Sequence, residues 1–221
     1  MTRKIFMLSL SLIILLGVGQ AAAFDFGRGP KGNGDLETRE LSLDEFNALE
    51  VGGAFEVDVR LGKRQKVAIT VDENLWQYLE TRVKNQWLKV DWDRKCRPSD
   101  ECRIEIVVEK LEEISVHGAV DANIHDFRGD RFRFRLSGAG SLEMDGEVDD
   151  LEINLSGAGE VDTRRLKARR VDVRISGAGN AEVYASEGMK GRVSGLGSLT
   201  YHGDPENKET SISGLGSIEA K

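Results

Sequence analysis

The sequence predicts an all-β protein that folds as a parallel β-helix with coils of about 19 residues. The first observation is a four-residue motif, Ser-Gly-x-Gly, that recurs at nearly constant spacing and begins at Ser137, Ser156, Ser176, Ser194 and Ser213. The second is the alternation of apolar and polar residues before each motif, which is typical of a strand with one buried side. Phe132, Phe134 and Leu136 show this alternation. A repeat this short cannot hold a strand and a full helix, so stacked β-coils are expected.

Each motif is predicted to form a corner of the β-helix. A glycine follows every serine, at Gly138, Gly157, Gly177, Gly195 and Gly214. A corner repeated in every coil requires either a positive backbone φ or the absence of a Cβ, and glycine supplies both. The serines would form a column of hydroxyls able to hydrogen-bond along the stack. The motif lacks the lysine of a phosphate loop, the third glycine of a dinucleotide fold and the order of a nucleophile elbow.

The first 23 residues are predicted to be a secretory signal peptide. Arg3 and Lys4 precede an apolar run, and alanines at 21–23 provide the small residues of a cleavage site. Residues 24–41 are glycine-rich and polar, so we expect a flexible leader there, followed by a single domain over residues 42–221. The protein is therefore expected to be extracytoplasmic, with no membrane insertion after cleavage.

The segment between the leader and the repeats is expected to cap the N-terminal end of the stack. Apolar alternation predicts several strands here, and the sequence NLWQYLETRV, residues 74–83, predicts a helix of two to three turns. A turn is expected at Asn85 and Gln86. The helix would cover an edge of the stack that is otherwise open.

Two cysteines, Cys96 and Cys102, flank a polar loop that contains Pro98. In an exported protein two neighbouring cysteines usually pair, so a disulfide between them is predicted. The alternative is a metal site, but two thiolates without nearby histidines make a poor zinc site, which needs four ligands. No metal or other cofactor is expected.

The outward positions of the coils are expected to form columns of like side chains. Two residues before each serine, the column contains Arg135, Arg174 and Arg192 together with Asn154 and Ser211. Six residues after each serine, it contains Glu143, Asp162 and Glu182 together with Thr200 and Glu219. Like charges about 5 Å apart repel. Three arrangements would relieve this: solvation, pairing with basic residues such as Arg164 and Lys167, or Ca²⁺ bound by the acids.

The chain resembles a known family, the auto-transporter adhesin head domains or GIN domains. The matching residues are Phe46, Leu49, Val51, Gly53, Phe55 and Val57, the stretch Asp72–Leu75, and the five Ser-Gly-x-Gly corners. The resemblance covers about residues 42–221. It implies a right-handed β-helix and an adhesin-like role, and it supplies no catalytic residues.

Together these patterns favour a non-catalytic, adhesin-like binding module whose repeated outer faces meet a glycan or an envelope protein. The net charge of −7 disfavours nucleic acids and anionic membranes as partners. The three histidines form no visible cluster. The alternatives are an envelope structural or assembly protein and, less favoured, a polysaccharide-active enzyme. The edge strand of the C-terminal coil is expected to allow self-association.

Overall fold

The computed structural model describes residues 29–221, so the predicted signal peptide and the first residues of the leader lie outside the described chain. The described residues form fifteen strands and one short helix. The strands are β1 (Leu36–Leu41), β2 (Ala48–Val51), β3 (Ala54–Leu61), β4 (Lys66–Asp72), β5 (Leu79–Lys84), β6 (Trp87–Trp92), β7 (Arg103–Val108), β8 (Glu113–Val116), β9 (Ala119–Leu136), β10 (Ala139–Leu155), β11 (Ala158–Ile175), β12 (Ala178–Val193), β13 (Ser198–His202), β14 (Asn207–Ile212) and β15 (Ser217–Ala220).

The long strands stack as the coils of a parallel β-helix of about five turns, which confirms the predicted fold class. Strands β9 to β12 each extend from one corner to the next, and each pairs in parallel with the strand before and after it. The last turn is built from the shorter strands: β13 and β14 pair with β12, and β15 pairs with β13. The polar stretches between the corners, such as residues 145–150, also lie within the strand ladder.

Side chains of equivalent positions form buried columns inside the coils. One column runs through Val51, Val116, Leu136, Leu155, Ile175 and Val193, all of them buried. Three phenylalanines, Phe127, Phe132 and Phe134, are fully buried in β9. The period of two in the sequence therefore places one face of each strand in a continuous core.

The order of the layers in space differs from their order along the chain. The first coil, β2 and β3, contacts β8 and β9 on one side and β6 and β7 on the other, always in parallel. The layer made by β6 and β7 therefore lies at the N-terminal end of the stack, although it follows the first coil in sequence. Between the equivalent glycines Gly53 and Gly118, the chain leaves the stack, builds this layer and returns.

Antiparallel strands close the N-terminal end. Strand β5 pairs with β6, β4 pairs with β7, and β1 pairs with β4. The prediction of a flexible leader up to residue 41 is therefore wrong for residues 36–41, because β1 supplies the backbone partners that β4 would otherwise lack. The residues before β1 are also held, since the amide of Gly34 donates to Asp72 Oδ1 at 2.9 Å.

The predicted helix of two to three turns is corrected to one short 3-10 helix, Glu73–Tyr78, followed by strand β5. Leu79 already has an extended backbone, and Thr81 pairs with Val90 across the hairpin of β5 and β6. The two turn residues, Asn85 and Gln86, both have positive φ, which is the geometry of a tight hairpin turn. The edge of β6 needs hydrogen-bond partners, and a strand supplies them where a helix could not.

The predicted disulfide is not present, because Cys96 and Cys102 are both free cysteines in the structure. Cys102 directly precedes β7, in line with the core-facing residues of that strand, and is 2% exposed. Cys96 lies in the loop before β7, where Arg97 exchanges backbone hydrogen bonds with Pro30 and Gly32. Backbone pairing therefore holds this loop without a covalent link. Burial raises the pKa of Cys102 to about 12, so its thiol stays protonated near neutral pH.

The C-terminal end of the stack exposes both backbone and apolar side chains. All residues of β14 are exposed, and its last residue, Ile212, continues the buried column with 49% of its surface exposed. Leu215, in the corner that follows, is 88% exposed. The core is therefore sealed by antiparallel strands at one end and open at the other.

Candidate functional site

The predicted corner glycines lie in one column along the stack. A Cβ on Gly157 would lie 1.8 Å from the carbonyl oxygen of Gly138, and a Cβ on Gly138 would lie 1.9 Å from that of Gly118. Among the described glycines, these corner positions are not the ones with positive φ. The corner therefore requires the missing Cβ, because successive coils approach each other most closely there.

The corner serines donate to backbone and do not bond to one another. The hydroxyls of Ser137, Ser156, Ser176 and Ser194 each donate to the carbonyl of the residue before the corner of the preceding coil. The bond from Ser156 to Leu136 O is 3.2 Å, and Ser176 and Ser194 repeat it at 3.5 and 3.4 Å. The hydroxyl protons therefore point into the stack, and the outer lone pairs of these oxygens remain accessible to acceptor contacts.

The predicted acidic column is brought together by the register of the coils. Glu143 lies beside Asp162, Asp162 beside Glu182, and Glu182 beside Thr200. Arginines pair with these carboxylates. They lie between Thr163 and Ala168 of β11, where the pairing with β12 is interrupted and its register shifts.

The arginines of this interruption neutralise the acidic column. Arg164 lies 2.5 Å from Asp162 and 3.5 Å from Glu182, and Arg165 lies 2.6 Å from Glu143. The hydrogen bonds from Arg164 hold the pKa of Asp162 below its usual range. Of the three arrangements that the sequence left open, pairing with basic residues describes this column. Lys167, which the sequence also suggested, instead lies 4.0 Å from Glu147.

The described chain, residues 29–221, contains no group of three or more His, Cys, Asp or Glu side chains placed to hold a metal ion. Two of the three histidines each meet one carboxylate: His202 lies 2.6 Å from Glu182, and His125 lies 3.3 Å from Asp145. The sequence alone does not single out these pairs, although both join residues about one coil apart. His117 contacts the hydroxyls of Ser137 at 3.0 Å and Ser115 at 3.3 Å. Its second nitrogen thus meets a hydroxyl, where a catalytic triad has a carboxylate.

The predicted basic column is also formed, on the strands that precede the corners. Arg135 lies beside Asn154, Asn154 beside Arg174, and Arg174 beside Arg192. The side chains of the arginines are 43–50% exposed. These residues and the acidic column lie on different stretches of the coil, separated by the corner, so the charges of the two columns do not neutralise each other.

A second column of charged residues, two positions earlier in each strand, partly neutralises the basic one. Arg174 lies 2.5 Å from Asp172 and 3.3 Å from Glu152, and Arg135 lies 3.1 Å from Glu113. Burial alone would raise the pKa of Glu152, but hydrogen bonds from Arg133 and Asn154 hold it below the usual range.

Arg192 differs from the other arginines of the basic column. Within the described chain its guanidinium approaches one carboxylate, that of Asp172, at 3.9 Å. That distance is too long for a hydrogen bond. The N–H groups of Arg192 therefore keep most of their capacity to donate to a ligand.

Between the basic column and the corners lies a shallow groove of about 370 Å³, which we call the serine–arginine groove. Its polar lining comes from Arg174 and Arg192 and from the corner serines, with Asn154 and Ser211 at the equivalent positions of the neighbouring coils. The apolar part of the lining is the last residue of each strand before its corner, such as Ile175. The groove crosses four coils and presents a corner serine at each level, beside an arginine at two of the four levels.

The chain matches the family model described as "Putative auto-transporter adhesin, head GIN domain" over residues 45–205. The chain belongs to this family. The match spans the first coil, the strands β4 to β7 and most of the stack. It includes most of the serine–arginine groove, whose last lining residues, Ser211 and Ser213, follow the matched range.

Solved structures with the same fold carry adhesin names. A putative adhesin from Bacteroides fragilis is 21% identical with a TM-score of 0.68, and the match covers 87% of this chain and all of that one. A putative adhesin from Parabacteroides merdae is 20% identical with a TM-score of 0.50, covering 86% of this chain and 98% of that one. At these identities the likeness establishes the fold of the GIN domain alone. Among curated proteins, none matches the chain. Across residues 29–221, no helix has the length and apolar character to cross a membrane.

Proposed function

We propose that this GIN domain is a non-catalytic adhesive module that acts outside the cytoplasm and binds a glycan along the outer face of its coils. The observation that carries this proposal is the serine–arginine groove, which crosses several coils and repeats a corner serine beside a polar or basic side chain at each level. Membership of an adhesin family supports a role in contact with other molecules.

A repeated surface suits a polymer. Coils of a β-helix are about 4.8 Å apart, so each corner offers an equivalent contact at a regular step. A glycan chain is itself a repeat of one or two sugars, and several weak contacts along it add up to a useful affinity. Since each corner serine oxygen can accept a hydrogen bond, sugar hydroxyls are suitable donors for this face.

A glycan array probed with the full-length chain tests this proposal, with a heat-unfolded sample as the control. We expect the folded protein to bind a subset of glycans that the unfolded sample does not bind. Chromatography of the bound glycan after long incubation should show no change in chain length. An array without signal would overturn glycan binding, and shortened glycans would overturn the non-catalytic role.

The open end of the stack favours a second function, assembly through self-association. Strand β14 presents an unpaired edge, and Ile212 and Leu215 expose apolar surface beside it. An edge of this kind can pair with the same edge of a second copy, which would extend the sheet and cover the apolar column. Light scattering over a range of concentrations tests this function. We expect a dimer that is lost in Ile212→Lys, and a strictly monomeric wild-type protein would contradict it.

A further inference from the structure

The charge of the serine–arginine groove is opposite to that of the whole chain. The protein has a net charge of −7, whereas Arg174 and Arg192 are the charged residues that line this groove in the described structure. A concave surface with charges of one sign concentrates the field above it. The groove is therefore a positive surface on an acidic protein, and it favours an anionic ligand.

The two arginines differ in how much of their donor capacity is already used. The guanidinium of Arg174 is held by Asp172, Glu152 and Asn154, at 2.5, 3.3 and 3.4 Å. Arg192 has the single distant carboxylate of Asp172, and 46% of its side chain is exposed. Arg174 is therefore fixed in place and partly neutralised by these partners, whereas Arg192 has N–H groups that can form paired hydrogen bonds with a carboxylate or sulfate.

The serines select a different group on the same ligand. The hydroxyl protons of Ser156, Ser176 and Ser194 are directed to backbone carbonyls of the preceding coil. Towards a ligand these oxygens act as acceptors, and they require a partner that donates a hydrogen bond. A sulfate ion or a DNA phosphodiester backbone has no such donors, whereas a sugar has several hydroxyls beside any acidic group it carries.

We propose that the serine–arginine groove binds an anionic polysaccharide, with its carboxylate or sulfate groups on Arg192 and Arg174 and its hydroxyls donating to the corner serines. This rests on the proposed glycan-binding function and names the class of glycan. From Ser156 to Ser213 the corners span three steps between coils, about 14 Å. That length accommodates a short stretch of an extended sugar chain.

Fluorescence polarisation with the full-length chain tests this proposal. The probes are labelled oligogalacturonate, which carries carboxylates, a labelled heparin fragment, which carries sulfates, and a labelled neutral dextran. We expect binding to at least one anionic probe, weaker binding as salt increases, and none to the dextran. Comparison of the two anionic probes distinguishes carboxylate from sulfate as the preferred group.

Variants locate the site. Arg192→Gln is expected to weaken binding of the anionic probe at least tenfold, and Ser194→Ala to weaken it by a smaller factor. Arg64→Gln is the matched control, since it removes the same charge from an exposed turn near the other end of the chain, and it should change binding less than twofold. Circular dichroism shows whether each variant is folded.

Each failure has a distinct meaning. If Arg192→Gln binds as tightly as the wild type, or if dextran competes equally, the anionic site is wrong while glycan binding on another face survives. If neither the array nor these probes give any binding, the proposed function fails together with the inference. Equal losses in Arg192→Gln and Arg64→Gln would indicate attraction by overall charge and would overturn the groove as the site.

Discussion

Replacement of Gly157 by alanine is expected to destabilise the stack severely, although it adds only one methyl group. The new Cβ would lie 1.8 Å from the carbonyl oxygen of Gly138 and 2.9 Å from that of Ser137. A carbon and an oxygen in contact are normally at least about 3.3 Å apart. The two coils must therefore separate locally by more than about 1 Å, and no flexible side chain can absorb the shift because both contacts are backbone.

The cost follows from what this separation breaks. The amides of Ala158 and Gly157 donate to the carbonyls of Gly138 and Leu136 at 3.0 and 3.3 Å, and each bond contributes about 1 kcal/mol. The core column beside the corner, between Leu136 and Leu155, would also lose packing, which adds about 1 kcal/mol or more. We expect a loss of roughly 3 kcal/mol in the free energy of unfolding, which is large for a single methyl group.

Urea denaturation of Gly157→Ala against wild type measures this loss. Circular dichroism follows the whole stack, while tryptophan fluorescence follows the N-terminal layers, since Trp76, Trp87 and Trp92 all lie there. The control is Gly188→Ala, whose Cβ would meet a carbon of Arg170 at an ordinary 3.5 Å. It should be neutral or stabilising by about 0.5 kcal/mol. If both variants lose the same amount, close approach of the coils does not explain the corner glycines.

Four further predictions concern other features. Ser156→Ala should cost about 1 kcal/mol or less, since it removes one long hydrogen bond and leaves the corner backbone intact, and urea denaturation measures it. Burial alone would raise the pKa of Asp72, but hydrogen bonds from Ser99 and Gly34 hold it below its usual range. The stability that Asp72 adds is thus full above its unfolded pKa and is lost as pH falls through the lower folded value. Asp72→Asn should lower stability at neutral pH and flatten the acid limb of a stability–pH curve. A thiol-reactive dye should titrate two thiols per denatured chain, and in the native protein Cys102 should react far more slowly than Cys96. Ca²⁺ and EDTA should give the same thermal midpoint, because arginines already neutralise the acidic column.

The stack could be predicted from the sequence because each of its layers obeys one local rule. The period of two sets the buried face, and the spacing of the corner glycines sets the register, so Arg174 and Arg192 could be placed side by side without a structure. The same spacing also placed Glu143, Asp162 and Glu182 in one column. The partners that the side chains of a column contact depend on residues outside the repeat. The interruption that carries Arg164 and Arg165 onto the acids breaks the repeat, so the spacing could not indicate where those side chains point.

The N-terminal cap was harder because its strands pair with partners that are distant in sequence. Leu75, Tyr78 and Leu79 have helical spacing. The second half of that segment nevertheless forms strand β5, because β6 would otherwise have an edge without hydrogen-bond partners. Leu36–Leu41 give a second example. Their polar composition suggested a flexible leader, but they form strand β1 because they pair with β4. The cysteine spacing was equally ambiguous, since a loop held by backbone bonds and by Asp72 does not need a disulfide.

The placement of β2 and β3 between layers that come later in the chain has a consequence for folding kinetics. When these strands emerge from the ribosome, none of their neighbours exists. One side stays unpaired until β6 and β7 follow, and the other until β8 and β9 are available. The loop between β3 and β9 must close before these strands can pair, and its closure costs conformational entropy before the stacked coils contribute any stability. The N-terminal half should therefore form the slow nucleus, and each later coil can then add to a finished template at its own rate.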